Sequence, residues 1–456
     1  MTDPFQLSAL RFLEHGDQLR AQSRWAEAKA AYLAAQDSDP DNPGAWLGLG
    51  LCAEGIGDLA AAQTAFAEAA RLHPERVDAW LGLASANHAL GQGTQAIRAW
   101  LQAWLLSPAD LRLHNIVWQA LNETETAGEG YAGAVCRGNR LRAQGQNDEA
   151  LVFYRQAQKQ EPGLPFAYSR AGCLLAKNGD YAGAEMEFSQ ARALSDWVES
   201  GIRLNPSFFN ELPIFSPALS WVKKAEGNGP LAVVGCDAVY FKRYAQGLWE
   251  SLCRCEGETA SLHVHLLYPA AESLAMAQAM GVGLSVESPD FQGSTRNFVN
   301  TYYASARFLV LPDLLKAYDR PLLVMDVDAA VLKPLAPLWT VLAGNDMAIR
   351  RLQGAMVDPW NEPQANLVGV NPTPKGLAFA QSLSRFLAHF VARRLLFGFF
   401  DQTALYSVLA ADPALADLQV GQFPANAYGY PLNRGALGDL VYPDDLLVGE
   451  VKTPLR

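Results

Sequence analysis

Charge is scarce in this sequence: 18% of its 456 residues are Asp, Glu, Lys or Arg, and the formal net charge is −11. That balance argues against an electrostatic grip on nucleic acid or on an anionic lipid surface. Long apolar runs are also missing, and none approaches the about 20 residues of a membrane span. Met1–Leu10 lacks a basic start followed by an apolar core, so no signal peptide is expected. Cysteine is sparse and scattered, at Cys52, Cys136, Cys173, Cys236, Cys253 and Cys255. Cys253-Arg-Cys255 is spaced too tightly for a usual zinc pair, and reduced thiols in a cytoplasmic protein are the expectation. There is no Walker loop, no G-x-S-x-G elbow and no H-E-x-x-H, and Gly281-Val-Gly283 lacks the rest of a dinucleotide fingerprint. What is present is a half-apolar chain long enough for two or three domains with substantial cores.

The first 200 residues repeat. Prolines 40, 74, 108 and 162 each follow an aromatic by eight residues: Tyr32, Phe66, Trp100 and Tyr154. Alanines precede the same prolines by twelve (Ala28, Ala62, Ala96, Ala150) and by five (Ala35, Ala69, Ala103, Ala157). A fifth unit reads Gly172, Ala184, Phe188 and Ala191, with Asp196 in the proline position. Glycine opens the pattern at Gly16, Gly50, Gly138 and Gly172, whereas the third unit has Ala84. The spacing is 34 residues except between the third and fourth units, where it is 54; Ile116, Val117, Ala120 and Leu121 predict a helix inside that insertion, 109–130.

This pattern resembles the tetratricopeptide repeat, a helical hairpin in which small residues sit where two helices meet and an aromatic fills the gap. The resemblance covers about residues 5–196 and implies an α solenoid, placed at 1–200, that binds a protein partner. Residues 201–229, with Pro206, Pro213 and Pro217, read as a capping and linking segment that ends at Gly227-Asn228-Gly229-Pro230.

From residue 230 to 456 strands and helices alternate. Strands are expected at 231–235, 262–267, 284–286, 347–350 and 366–370, with helices at 244–252, 270–280, 373–393 and 402–409 and a loop-rich tail after Ala410. Thr301–Tyr318 predicts one long helix with Pro312 as its kink point. His263 and His265 alternate along one strand without a nearby acid in sequence, which reads as a polar strand face.

The most informative stretch is Pro321–Leu335, where the apolar run Leu322–Met325 leads into Asp326-Val327-Asp328. Continued as extended backbone, residues two apart would point both carboxylates one way. Two neighbouring acids at the end of a buried strand resist ionisation, and Mg²⁺ or Mn²⁺ carrying a diphosphate removes that penalty. A surface turn with two chance aspartates is the plainer alternative. Asp237 lies just after the first strand, and ligands of open sheets sit beyond the carboxyl ends of strands, so the three acids are expected to share one site.

Val234–Tyr240, Tyr303–Leu315, Met325–Asp328, Asn366–Val370 and Phe400-Asp401-Gln402 together are similar to the GT-A type of nucleotide-diphospho-sugar transferase, in its glycogenin-like and lipopolysaccharide galactosyltransferase-like group. The resemblance implies an α/β, Rossmann-like domain with a mixed sheet. In it Asp237 would accept from the base or ribose, Tyr240 would stack on the base and Arg307 would meet the diphosphate or sugar. Asp326 would lie near ribose or metal and Asp328 would bind the metal. Asn366 and Gln402 would contact the donor sugar or reacting centre, and Asp401 would bind sugar hydroxyls, with Asp401 and Gln402 as the catalytic candidates. The group's third metal ligand is a C-terminal histidine, and no histidine follows His389 here; Glu450 as substitute ligand and Lys452 toward the diphosphate are the nearest matches.

Each residue also has a plain structural role open to it. Arg307 could pair with Asp313, Tyr240 could pack on its own helix, Asp401 could cap a helix and Asn366 could be a turn residue at a sheet edge. The joint expectation is a metal-assisted, retaining glycosyltransferase that uses a nucleotide-diphosphate sugar, with the repeats recruiting a protein acceptor. A polysaccharide- or lipid-linked glycan as acceptor, and a non-catalytic scaffold with a degenerate transferase fold, are the alternatives.

Overall fold

The structure is a computed structural model, and it describes residues 4–108, 110–123, 128–195, 201–215, 219–227, 229–396 and 398–424. The chain divides into two compact units, Met1–Leu174 with Glu187–Trp197, and Leu175–Met186 with Val198–Arg456.

Helical hairpins fill the N-terminal part: α1 (Pro4–Ala21) with α2 (Trp25–Ser38), α3 (Pro43–Ile56) with α4 (Leu59–Leu72), and α5 (Val77–Ala89) with α6 (Gly93–Leu106). After α7 (Leu111–Glu123) come α8 (Gly130–Ala143) with α9 (Asn147–Gln160), and α10 (Phe166–Lys177) with α11 (Tyr181–Leu194). The repeated aromatic explains the repeated glycine. A Cβ added at Gly50 would stand 2.6 Å from the Phe66 ring, at Gly138 2.4 Å from Tyr154, and at Gly172 2.7 Å from Phe188. Each of these rings is fully buried. The third unit, with Ala84 in the glycine position, departs from this arrangement: Trp100 is only half-buried and lies tilted against His88 at 5.5 Å.

The predicted insertion helix is α7, which buries Leu113, Val117 and Leu121 at spacings of four. It is tied to the next hairpin by Asn139, whose Nδ2 donates to the Leu121 carbonyl at 2.7 Å while its Oδ1 accepts from Tyr154 at 2.7 Å.

In the second unit the segment expected to link domains is structural. Helix α12 (Pro206–Asn210) sets Phe208 and Phe209 against Phe386 at 5.7 and 5.8 Å. Strand β1 (Ser220–Lys223) then pairs antiparallel with β4 (Gly283–Glu287) at one edge of the sheet. The prolines punctuate this stretch without detaching it from the core, because the aromatic residues beside them need burial.

The other strands are β2 (Leu231–Asp237), β3 (Leu262–Leu267), β5 (Leu322–Met325), β6 (Met347–Arg351), β7 (Pro363–Val370) and β8 (Val420–Gln422). Among the described residues they form a mixed eight-stranded sheet ordered β1-β4-β3-β2-β5-β7-β6-β8. Strands β4, β3, β2 and β5 run parallel, β7 runs against both neighbours, and β8 lies parallel to β6 within the expected loop-rich tail. The remaining helices are α13 (Ala238–Glu256), α14 (Ala271–Met280), α15 (Arg296–Leu309), α16 (Leu311–Tyr318), α17 (Ala336–Ala343), α18 (Pro374–Ala392) and α19 (Phe400–Ala411). One core cluster joins Val234, Val264, Leu284, Leu323 and Leu367 to Phe241 and Leu248 of α13.

Two expectations change. The single helix at 301–318 starts earlier and is two helices, broken at Val310, because Pro312 has no N–H and its ring crowds the carbonyl four residues back. Strand β5 ends at Met325, so Asp326 leaves it and Val327-Asp328 lie in a turn closed by Ala329 N–H donating to the Asp326 carbonyl at 3.4 Å. The polar strand face expected of His263 and His265 is present and lies buried: both side chains are fully buried, and β4 brings Glu287 within 3.2 Å of His265.

Candidate functional site

In the parallel part of the sheet, β2 has β3 on one side and β5 on the other. The connection after β2 runs to β3 and the connection after β5 runs to β6 on the opposite side, which opens a crevice beyond the strand ends. Both ends carry acids. Asp237 closes β2 and caps α13, its Oδ1 accepting from Tyr240 N–H at 2.8 Å. Tyr240 is therefore held by the cap, and its ring remains 49% exposed beside Tyr244. Asp326 and Asp328 follow β5.

A cavity of about 430 Å³ lies in this crevice, lined by Asp237, Tyr240, Arg307, Asp326 and Asp328 among others. The two aspartates after β5 share it through their turn and not through strand alternation. A second cavity of about 700 Å³ also touches Tyr240, Arg307 and Asp326 and adds Asn366, Asp401 and Gln402. All eight of the predicted site residues that lie among the described residues thus line one of two cavities with shared walls. Glu450 and Lys452 lie outside the described residues.

Arg307 is the hinge between the cavities. It is 5% exposed; its Nη2 forms an ion pair with Asp326 Oδ1 at 2.8 Å and donates to Asp401 Oδ2 at 3.3 Å and to the Ala365 carbonyl at 3.3 Å. Its partners are these acids and not Asp313. Arg307 Nε has no hydrogen-bond partner among the described residues, a buried donor that a ligand oxygen would satisfy. Gly235 makes the placement possible: a Cβ there would stand 2.9 Å from Arg307 N, so only glycine lets α15 lie this close to β2.

The acids are unequal. Burial pushes the Asp328 carboxyl up to about 6, with Asp326 adding to the rise and Arg307 opposing it. Burial likewise raises Asp401, against the pull of Arg307. Asp401 lies in the first turn of α19, with Oδ1 accepting from Gln402 N–H at 2.9 Å, and the residue before the helix is Phe399. Gln402 Nε2 donates to Asn361 Oδ1 at 3.0 Å.

The cavities contain Asp237, Asp326, Asp328 and Asp401 against Arg296 and Arg307, four acids to two bases. A bare diphosphate would meet net repulsion there, whereas one carrying a divalent cation would not. The paired acids and the reluctant ionisation of Asp328 fit such a cation. Among the described residues no group of three or more His, Cys, Asp or Glu is arranged for a metal, so the fit extends to Asp326 and Asp328 alone.

Sequence reasoning missed Arg296, Asn297, Asn300, Tyr303 and Ala304, which line these cavities from α15. The signal was available: Arg296, Asn300, Tyr303 and Arg307 follow helical spacing on one face. Starting the helix at Thr301 hid its first turn.

In the N-terminal part, a groove of about 710 Å³ is lined by Gln63, Trp80, Asn87, Arg98, Gln102 and Tyr131 among others.

The tetratricopeptide-repeat family model matches residues 13–62 and 55–110. The N-terminal part of the chain is a tetratricopeptide-repeat array. Similar solved structures include the first tetratricopeptide domain of Spaghetti (RPAP3) bound to the HSP90 peptide SRMEEVD, at 22% identity over 25% of this chain and 91% of that one, TM-score 0.25. MamA protein aligns at 22% identity over 41% and 91%, TM-score 0.23. YrrB, described as a tetratricopeptide protein with an unusual peptide-binding site, aligns at 20% over 42% and 93%, TM-score 0.23. No curated protein matches the chain.

Proposed function

We propose that the second unit is a GT-A type glycosyltransferase that takes its sugar from a nucleotide-diphosphate donor, and that the repeat array recruits a protein acceptor. The observation that carries this reading is the convergence of Asp237, Tyr240, Arg307, Asp326 and Asp328 on one cavity at the strand-order switch point. The adjoining cavity with Asn366, Asp401 and Gln402 gives room for the sugar and acceptor.

On this reading the exposed Tyr240 ring offers a stacking face for the base beside Asp237. Asp326 and Asp328 would hold Mn²⁺ or Mg²⁺, and the chemistry such an ion supplies is neutralisation of charge on the departing diphosphate. Arg307 fixes Asp326 and Asp401 relative to each other and keeps Nε for a donor oxygen. Positive charge developing at the sugar is met by Asp401, with Gln402 beside it. Retention of configuration belongs to the same reading, as do Glu450 and Lys452 as further contacts to metal and diphosphate.

Turnover tests it. UDP- and GDP-sugars are incubated with the full chain and Mn²⁺, with a CMP-sugar, which has no diphosphate, as control, and free nucleotide is measured; release above the no-enzyme rate for at least one diphosphate donor is expected. The acceptor is tested by exchanging Arg98→Glu and Trp80→Ala in the repeat groove. Transfer to a protein acceptor is expected to fall while donor hydrolysis stays constant, and equal effects on transfer to a free glycan would favour the glycan-directed alternative.

A non-catalytic scaffold is the second reading, favoured by the direct ion pair of Arg307 with Asp326, which already neutralises one proposed metal ligand. Nucleotide binding without hydrolysis of any donor would select it.

A further inference from the structure

A continuous chain of hydrogen bonds, buried at its centre and part-buried at its ends, links β3 and β4 to α15 and α16, apart from the residues that line the two cavities. Tyr318 Oη lies 2.8 Å from His263 Nδ1, and His263 Nε2 lies 2.9 Å from Ser285 Oγ. Ser285 Oγ is 3.0 Å from His265 Nδ1, and His265 Nε2 is 3.2 Å from Glu287 Oε2. Glu287 Oε1 accepts from Tyr302 Oη on α15 at 2.7 Å. The parallel register sets His263 opposite Gly283 and His265 opposite Ser285, so alternate residues of both strands share one sheet face. His263, His265 and Ser285 are fully buried, and Tyr302 is 4% exposed.

The two ends determine the direction of every proton. At one end Ala225 N–H, which can only donate, lies 2.9 Å from Tyr318 Oη. At the other, Glu287 accepts from Tyr302 through Oε1 and presents Oε2 to His265 Nε2. His265 must then donate from Nε2, so its Nδ1 accepts from the Ser285 hydroxyl. Ser285 in turn accepts from His263 Nε2–H, and His263 Nδ1 accepts from Tyr318. Any other arrangement of neutral rings sets two donors or two acceptors face to face in buried space. Burial holds the His263 ring down at about 3, with His265 and Arg320 as neighbouring cations or potential cations adding to the effect.

We propose that this one-way chain is a positioning device for α15: His263, Ser285 and His265, each imidazole donating from Nε2, align Glu287 to hold Tyr302. Tyr302 thereby fixes Asn300, Tyr303 and Arg307 of the same helix in the cavity wall. Glu287 and Tyr302 act through the helix and touch no ligand. The effect on binding rests on reading that cavity as a nucleotide-sugar site.

The test combines imidazole nitrogen NMR with nucleotide affinity on the full chain. Both rings are expected to carry a proton on Nε2. Ser285→Ala is expected to give mixed tautomers at His265, and Ser285→Thr, which restores a hydroxyl, is expected to return the single form. Tyr302→Phe keeps the ring and removes one donor; it is expected to weaken the tightest-bound of UDP, GDP and CDP with Mn²⁺ roughly tenfold, as misplaced binding groups do. An Nδ1–H tautomer at either ring, or wild-type affinity in Tyr302→Phe, overturns the proposal. If the wild-type chain binds none of the three nucleotides, the reading of the cavity fails. The positioning claim is then decided by amide exchange at Tyr303–Arg307: faster exchange in Tyr302→Phe supports it, and unchanged exchange overturns it.

Discussion

The repeat array and the sheet unit solve the same packing problem with different ranges of contact. In the array, each key contact joins residues close in sequence: Gly50 with Phe66, Gly138 with Tyr154, Gly172 with Phe188. In the sheet unit the decisive contacts are distant, and Arg307 reaches Asp401 across 94 positions. The array therefore tolerates a local defect, such as Ala84 with its half-buried Trp100, by adjusting one hairpin. A defect at Arg307 disturbs two cavities at once.

That contrast sets the order of expected effects. Arg307→Met should have the widest effect, costing about 3–5 kcal/mol and disturbing both cavities, because it strands the buried Asp401 and the half-buried Asp326 without their cation. Urea unfolding should show a larger deficit at pH 8 than at pH 5, since protonation of the stranded acids relieves it; a deficit independent of pH would mean that only packing was lost. Phe66→Ala should cost about 3–5 kcal/mol in the array, as expected for a fully buried ring. Trp100→Ala should cost clearly less despite removing a larger side chain, and equal losses in thermal melts would erase the distinction between regular and defective repeats.

Asp328→Asn should stabilise. The Asp328 carboxyl is raised in the folded state to about 6 from an ordinary value of 3.8. The folded state is thus favoured while this group is protonated, and that advantage is lost as pH rises from about 4 through about 6. At pH 7 the asparagine variant should be more stable by about 2–3 kcal/mol, converging with the wild type near pH 4. Added Mn²⁺ should raise the melting temperature of the wild type and not of the variant. Gly235→Ala should cost about 1–3 kcal/mol by pushing α15 from β2, and it should weaken nucleotide binding together with stability.

Much of this was legible because the chain states it locally. The repeat period, the insertion helix and the acids at the ends of β2 and β5 all follow from spacing and from apolar runs that stop. Other features depend on tertiary context. The alternation argument for Asp326 and Asp328 failed because β5 ends at Met325, and a turn performs what the pleat was expected to do. His263 and His265 looked partnerless because their acid arrives on the neighbouring strand. The prolines at 206, 213 and 217 marked a capping and linking segment without showing what it packs on, which is α18 through Phe208 and Phe209.

Calorimetric titration of nucleotide-sugar donors in Mn²⁺, comparing the wild type with the Asp326→Asn, Asp328→Asn double variant, tests the central claim most directly. Saturable binding that requires Mn²⁺ in the wild type and vanishes in the double variant is the predicted result. No binding of any donor to the wild type, or equal binding by both proteins, would contradict it.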